Sequence, residues 1–436
     1  MKCDIEIFLN GTWQRAASFE LKSSGEISRG YKGAGVFEYD LDYAPAHLNS
    51  RGIDAVSCLY PVSFDNRHVS CWPSFLLDIL PAGANRRHFL NELGIANNPL
   101  ADWPLLMKGG GNPPGNIRIA QAAPTPNGTA HEGFHYDEVI GRAEHFIEYA
   151  KRKNAPVAGS SGVQGDAPKF LLTQDMHGMF HADGALADHL ARKHWLVKFP
   201  RGKHPSDRDI LRNEGAYFFV ARSVGLAVGQ EILFDSDVLL VPRFDRKSTG
   251  KGVVRLGLES LCSLSGISDF AVSVPMESLC SVIARFSSDP SADIREFVFR
   301  DILNVALGNT DNHARNTAML KHTDGSVRLA PLYDFAPMFL DDQGIARVCR
   351  WTGAERMGSP EWGKIAEFMK NFNIEPKRMR EDFAAFAETV RRLPDIMAKC
   401  GVDQWLIHRL AQRIDGVRMS LEQARPAIRV SGYDEG

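Results

Sequence analysis

Apolar and polar positions alternate from Cys3 to Leu9 and again at Phe37, Tyr39, Leu41 and Tyr43, with Asn10-Gly11 as a turn signal after the first run. That pattern predicts a small sheet at the start of the chain. The spacing then becomes helical, first in Trp72-Pro73-Ser74-Phe75-Leu76-Leu77-Asp78-Ile79-Leu80 and next over 85–93. Gly, Pro and Asn crowd residues 109–128, which places a domain boundary there. Val139, Ile140, Phe146, Ile147 and Ala150 follow at helical spacing.

From residue 155 the character changes. A Gly/Ser-rich loop leads to strands expected at 170–172, 194–200 and 238–241, with an amphipathic helix over 213–223. After about residue 252 the periodicity is mostly helical, with long stretches at 294–307, 362–372, 379–392 and 404–424. The expectation is an α+β chain in three parts: a sheet-containing module (1–128), a small mixed lobe (129–250) and a helical lobe (251–436).

Composition narrows the function classes. The 436 residues are 44% hydrophobic, enough for real cores, and the formal charge of −2 argues against gripping nucleic acid through overall charge. Seven scattered cysteines without a C-x-x-C pair read as reduced thiols of a cytoplasmic protein. The N-terminus lacks the apolar stretch of a signal peptide, and no run approaches 18 apolar residues, so no membrane partner is expected.

The candidate chemistry lies in Gly308-Asn309-Thr310-Asp311-Asn312-His313-Ala314-Arg315-Asn316, followed 18 residues later by Asp334. An apolar helix ends at Gly308, so Asp311 is presented on a loop fixed by packed structure. Asp324-Gly325 is a hairpin turn signal that returns the chain, setting Asp334 beside Asn316. Asp-x4-Asn with a later Asp is the order a phosphotransferase needs: one carboxylate at the acceptor hydroxyl, an amide and a second carboxylate on Mg2+. Upstream, Lys198 interrupts an apolar strand, where a lone ammonium is costly unless it meets an anion, and Glu214 stands where a helix could orient it. Gly159-Ser160-Ser161-Gly162-Val163-Gln164-Gly165 could bring backbone N–H groups against phosphates.

Taken in order, these segments resemble the HipA-like bacterial toxin kinases. The likeness rests on the 308–316 run, Leu329-Ala330-Pro331-Leu332-Tyr333-Asp334, Ser161-Gly162-Val163-Gln164, Trp195-Leu196-Val197-Lys198-Phe199-Pro200, Asn213-Glu214, Val241-Pro242-Arg243-Phe244-Asp245-Arg246, Phe37-Glu38-Tyr39 and Ile79-Leu80-Pro81. The resemblance implies a two-lobed protein-kinase-like fold and a serine/threonine kinase using ATP and Mg2+. Asp311 would be catalytic, and Asn316 and Asp334 the metal ligands. Lys198, Glu214, Gly162, Val163, Gln164, Gly165, His313, Arg315 and Asn316 would surround ATP, with Pro242, Arg243 and Phe244 at the adenine hinge. It further implies autophosphorylation at Ser161 (Ser160 is adjacent), a helix-turn-helix antitoxin like HipB with DNA met only through it, and a translation-related protein substrate such as an aminoacyl-tRNA synthetase. A pseudokinase that only binds such a partner is the non-enzymatic alternative. Two departures stand out: Arg315 replaces a lysine common in the family, and Asp166 and Pro168 lie close to the expected phosphates.

One competing motif is His131-Glu132-Gly133-Phe134-His135, which matches the H-E-x-x-H of zinc metalloproteases. Pro124, Pro126 and Gly128 before it and Gly133 within it argue for a loop or the start of a helix instead.

Overall fold

The computed structural model describes residues 1–123, 133–142, 146, 148, 150, 167–229, 232–250, 252–270 and 272–424. Strands β1 (Lys2–Leu9) and β2 (Thr12–Leu21) form the hairpin that the alternation implies. Asn10 and Gly11 turn it with φ of 52° and 84°, the positive values that a tight hairpin demands. Strands β3 (Gly35–Tyr39), β4 (Arg67–Val69) and β5 (Ile117–Ile119) complete an antiparallel sheet in the order β4-β3-β2-β1-β5.

Two expectations are corrected here. The alternation past Tyr39 does not extend β3, because the Asp40 carbonyl accepts from the Tyr43 and Ala44 amides and turns the chain. Ile117–Ile119 lies inside the stretch read as a boundary, yet it pairs with β1. Its two isoleucines are buried in the sheet's core with Phe19, Phe37 and Phe75, and that burial outweighs the loop-like residues around it.

The second sheet contains β6 (Lys169–Asp175), β7 (Phe180–Ala182), β8 (Ala191–Lys198), β9 (Leu233–Asp235) and β10 (Val238–Pro242), ordered β7-β6-β8-β10-β9 and antiparallel throughout. Its central strands read as continuous apolar runs because both faces are covered. Val238 and Leu240 join Phe134, Phe146, Phe170 and Trp195 on one side, whereas Leu239 and Val241 pack with the helix Pro205–Ser223 on the other.

Strands β11 (Arg246–Thr249) and β12 (Gly252–Arg255) form a hairpin. Beyond them β13 (Gly257–Ser260), β14 (Ala318–Lys321) and β15 (Val327–Leu329) make a three-stranded antiparallel sheet, with Gly325 turning the last pair at φ 86°. Helices Pro290–Leu307, Trp362–Phe368, Pro376–Arg391 and Gln404–Gln423 surround the largest apolar core, built from residues such as Phe297, Ile302, Trp362, Phe383 and Leu410. Each starts or ends within a few residues of the sequence expectation. Antiparallel pairing between all the named strands, with helices massed in the C-terminal part, makes the chain α+β. No described helix is long and apolar enough to cross a membrane.

Candidate active site

The helix Pro290–Leu307 ends on Gly308, whose φ of 71° is a left-handed cap, and a side chain there would collide with Phe339. The Leu307 carbonyl accepts from the Tyr217 hydroxyl at 3.0 Å, so the end of the helix is fixed from a second element. The following loop is held in turn. Asn312 Oδ1 accepts from the Val348 and Cys349 amides at 3.0 and 3.1 Å, and its Nδ2 donates to the Cys349 carbonyl at 2.8 Å. A single turn at Ala314–Asn316 then carries Asn316 back under Asp311: Asn316 Nδ2 donates to the Asp311 carbonyl at 2.9 Å. That bond fixes the amide, leaving Asn316 Oδ1 buried with no hydrogen-bond partner, and Asp311 Oδ1 is left in the same state. Unpaired buried oxygens are rare because each forfeits its hydration.

The hairpin β14–β15 returns the chain as expected, and Asp334 lines the same clefts as Asn316. Asp334 is a non-glycine residue at φ 48°, a conformation that costs energy and is found most often at functional sites. Its carboxylate meets Lys198 Nζ directly, and Lys169 Nζ lies 3.4 Å away. Lys198 Nζ also donates to Glu214 Oε1 at 2.5 Å. Burial alone would favour the neutral amine, but Asp334 and Glu214 hold the Lys198 ammonium above its ordinary pKa. Burial likewise opposes ionisation of Asp334, and Lys169 and Lys198 outweigh it, so its carboxyl lies well below the usual range. Burial lowers the pKa of His313, keeping it neutral near pH 7, and its Nε2 lies 3.6 Å from Asp311 Oδ1.

The sequence reading missed Lys169. It is paired in register with Lys198 across β6 and β8, and two like charges placed opposite each other repel unless an anion sits between them. The signal was present: Lys169 opens an apolar strand just as Lys198 closes one, and the cost of a lone buried ammonium applies equally to both.

Pro242, Arg243 and Phe244 line a cleft together with Leu171, Leu196, Tyr333, Asn316 and Asp334. The Arg243 guanidinium itself is not free for a ligand: it pairs with Asp183 and, at 2.7 Å, with Asp245. Arg315 lines the same cleft, and its Nη1 donates to Asp78 Oδ1 at 2.6 Å. In both cases a buried guanidinium is drawn to a carboxylate that sequence spacing alone did not connect to it. A second cleft, lined by Lys169, Lys198, Glu214, Asp311 and Asp334, adjoins the first.

The residues fit a hard cation shared with phosphates. Asn316 Oδ1 and the Asp334 carboxylate are oxygen donors, one of them without a partner. Two protein ligands leave most of an octahedral shell for phosphate and water, as Mg2+ prefers. Among the described residues no group of three or more His, Cys, Asp or Glu could hold a metal ion. The residues of the expected phosphate loop, Ser160, Ser161, Gly162, Val163, Gln164 and Gly165, lie outside the described residues, as does His131 of the H-E-x-x-H motif. His135 is the residue before the helix Tyr136–Ile140, where its amide donates to Glu138 Oε2 at 2.8 Å; this is a helix-start role.

Comparison with known proteins bears on this geometry. The HipA-like C-terminal domain model matches residues 161–394, more than half of the chain. Two curated proteins of Sinorhizobium fredii, named "Putative kinase Y4mE" and "Putative kinase Y4dM", are each 24% identical over 279 residues. Each match covers 60% of this chain but only 64% and 61% of those proteins, under two thirds of their length. Among solved structures, a complex of HipA, HipB and operator DNA from Shewanella oneidensis MR-1 resembles the chain with a TM-score of 0.64 at 17% identity. That likeness spans 97% of this chain and 96% of the other, and it is a likeness of fold.

Proposed function

This chain belongs to the HipA-like C-terminal domain family, and from that membership and the geometry above we propose that it is an ATP- and Mg2+-dependent serine/threonine protein kinase of two-lobed design. The observation that carries the reading is the convergence of Lys198, Glu214, Lys169 and Asp334 on one buried charge cluster beside the unpartnered oxygens of Asp311 and Asn316.

In this reading the adenine enters the cleft at Pro242–Phe244, between Leu171, Leu196 and Tyr333. Lys198 and Lys169 turn from Asp334 towards phosphate oxygens, with Glu214 keeping Lys198 in place. Asn316 and Asp334 hold Mg2+, which when bound neutralises charge on the phosphates. Asp311 lies within reach of the acceptor hydroxyl and takes its proton as the oxygen attacks the γ-phosphorus. The bond from that phosphorus to the bridging oxygen breaks, and ADP leaves with the electron pair.

The acceptor is proposed to be a protein serine or threonine, including Ser161 or Ser160 of the chain itself. A phosphate there adds roughly −1.5 to −2 charge where ATP phosphates must sit, which would switch the enzyme off. A toxin role with a HipB-like antitoxin as partner is proposed from the family membership and the likeness of fold to the S. oneidensis HipA, and a translation protein as substrate from the family resemblance alone. The test is labelling with γ-labelled ATP and Mg2+, comparing wild type with Asp311→Gln. Label that depends on Asp311 supports transfer. Nucleotide binding without label in either chain would leave a pseudokinase.

A further inference from the structure

The seam between the N-terminal sheet and the rest of the chain contains buried charge at the catalytic loop. Asp78, on the short helix Phe75–Ile79, accepts from Arg315 Nη1 at 2.6 Å, although 237 residues separate the two. The same carboxylate accepts from the Ser260 hydroxyl at 2.7 Å and from its amide at 2.9 Å, so it is clamped from β13 as well. Arg315 Nη2 reaches the Asp269 carbonyl at 3.3 Å, and the guanidinium lies 4.8 Å from the ring centre of Phe270. Arg315 is buried, at 7% exposure, and its backbone is the turn that positions Asn316. The Arg315 carbonyl accepts from the Tyr333 hydroxyl at 2.8 Å, which joins this turn to the residue before Asp334. Phe75, Asp78 and Ile79 also line the cleft that holds Asn316 and Asp334.

A buried guanidinium that loses its carboxylate must move to find another or to reach water. Here such a move would carry Asn316 and Tyr333 with it. We infer that Asp78 is a positioning residue of the phosphotransfer site: contributed by the N-terminal module, it anchors Arg315 and thereby sets the Asn316 amide against Asp334. The inference rests on the kinase reading for its consequence. The N-terminal module thus forms part of the nucleotide site, and whatever shifts the Phe75–Ile79 helix shifts the metal ligands.

The test uses the full chain. Binding of a fluorescent ATP analogue is titrated with and without Mg2+ in wild type, Asp78→Asn, Arg315→Gln and the double variant, and ATP turnover is measured alongside. Asp78→Asn should weaken the Mg2+-dependent part of binding and turnover by roughly ten-fold or more, while affinity without Mg2+ changes less than about three-fold. The double variant, which restores neutrality, should be no worse than Arg315→Gln, because both residues act through one contact. Ser260→Ala removes one bond to the same carboxylate without changing charge, and it should show the same shift in smaller degree. If Asp78→Asn does not fold, Ser260→Ala decides the matter in its place. Unchanged Mg2+ dependence in a folded variant, or additive losses in the double variant, would overturn the inference. Wild type that binds MgATP without transferring phosphate would sink the kinase reading alone, since Mg2+-dependent binding still reports on Asp78. Wild type that binds no nucleotide overturns both.

Discussion

Two buried charge clusters lie at the second sheet, and they are built to different ends. Around Arg243, all four oxygens of Asp183 and Asp245 are engaged. Asp183 Oδ1 accepts from Thr173 at 2.7 Å and contacts His194 at 3.2 Å, while Oδ2 meets Arg243 and Asn112. Asp245 Oδ1 accepts from Arg243 Nε at 3.0 Å, and Oδ2 accepts from the Gly115 amide, Arg243 and Arg246 at 2.6–2.7 Å. The atoms left unpartnered there are nitrogens, His194 Nε2 and Arg246 Nε, so no oxygen remains for a cation. Around Lys198 the reverse holds: two lysines converge on Asp334, and Asp311 Oδ1 and Asn316 Oδ1 beside it have no hydrogen-bond donor. A closed cluster stabilises the fold, whereas an open one leaves capacity for a ligand. The difference is one of unfilled valence, since both clusters are buried and charged.

That contrast can be broken by substitution. The largest expected effect is on stability. Arg243→Met strands two buried carboxylates and should cost about 3–5 kcal/mol in chemical denaturation. Lys198→Met should cost less stability, because its cluster borders an open cleft, and should lower kcat/KM for ATP by about 10²-fold in steady-state assays. If the two variants lose equal stability and Lys198→Met keeps its turnover, the distinction between the clusters fails. The smallest effect is expected from Asn316→Ala. It removes one of two proposed metal ligands and should raise the Mg2+ concentration for half-maximal activity by about ten-fold, with a modest loss of melting temperature because the Asp311 carbonyl loses its donor.

Much of this was legible in the sequence, for identifiable reasons. The helices from 290 onward follow strict apolar periodicity, and tertiary packing did not override it. The Lys198–Glu214 contact was readable because a lysine in an apolar strand demands an anion, and the Asp311–Asn316–Asp334 order because a hairpin signal lies between its members. Lys169 and Asp78 obey the same rule, as lone charges in apolar runs, and could have been found by applying it uniformly. What spacing could not supply was pairing across distant segments. Nothing near Arg315 or Arg243 in the chain points to Asp78 or Asp183, so their ion pairs were not legible, and only the family resemblance assigned the two arginines to the nucleotide. The strand Ile117–Ile119 was hidden by its Gly- and Pro-rich surroundings, because only the exposed edge of β1 gives it a partner.

The most direct measurement is to locate the metal. Crystals of the full chain grown with a non-hydrolysable ATP analogue and Mn2+ in place of Mg2+ would show the ion by anomalous scattering. The expected peak lies about 2.1 Å from both Asn316 Oδ1 and an Asp334 oxygen, with Lys198 still on Glu214 and now facing phosphate. A peak elsewhere, or nucleotide bound in the cleft with Asn316 Oδ1 still unpartnered, would contradict the assignment of the open cluster as the phosphotransfer site.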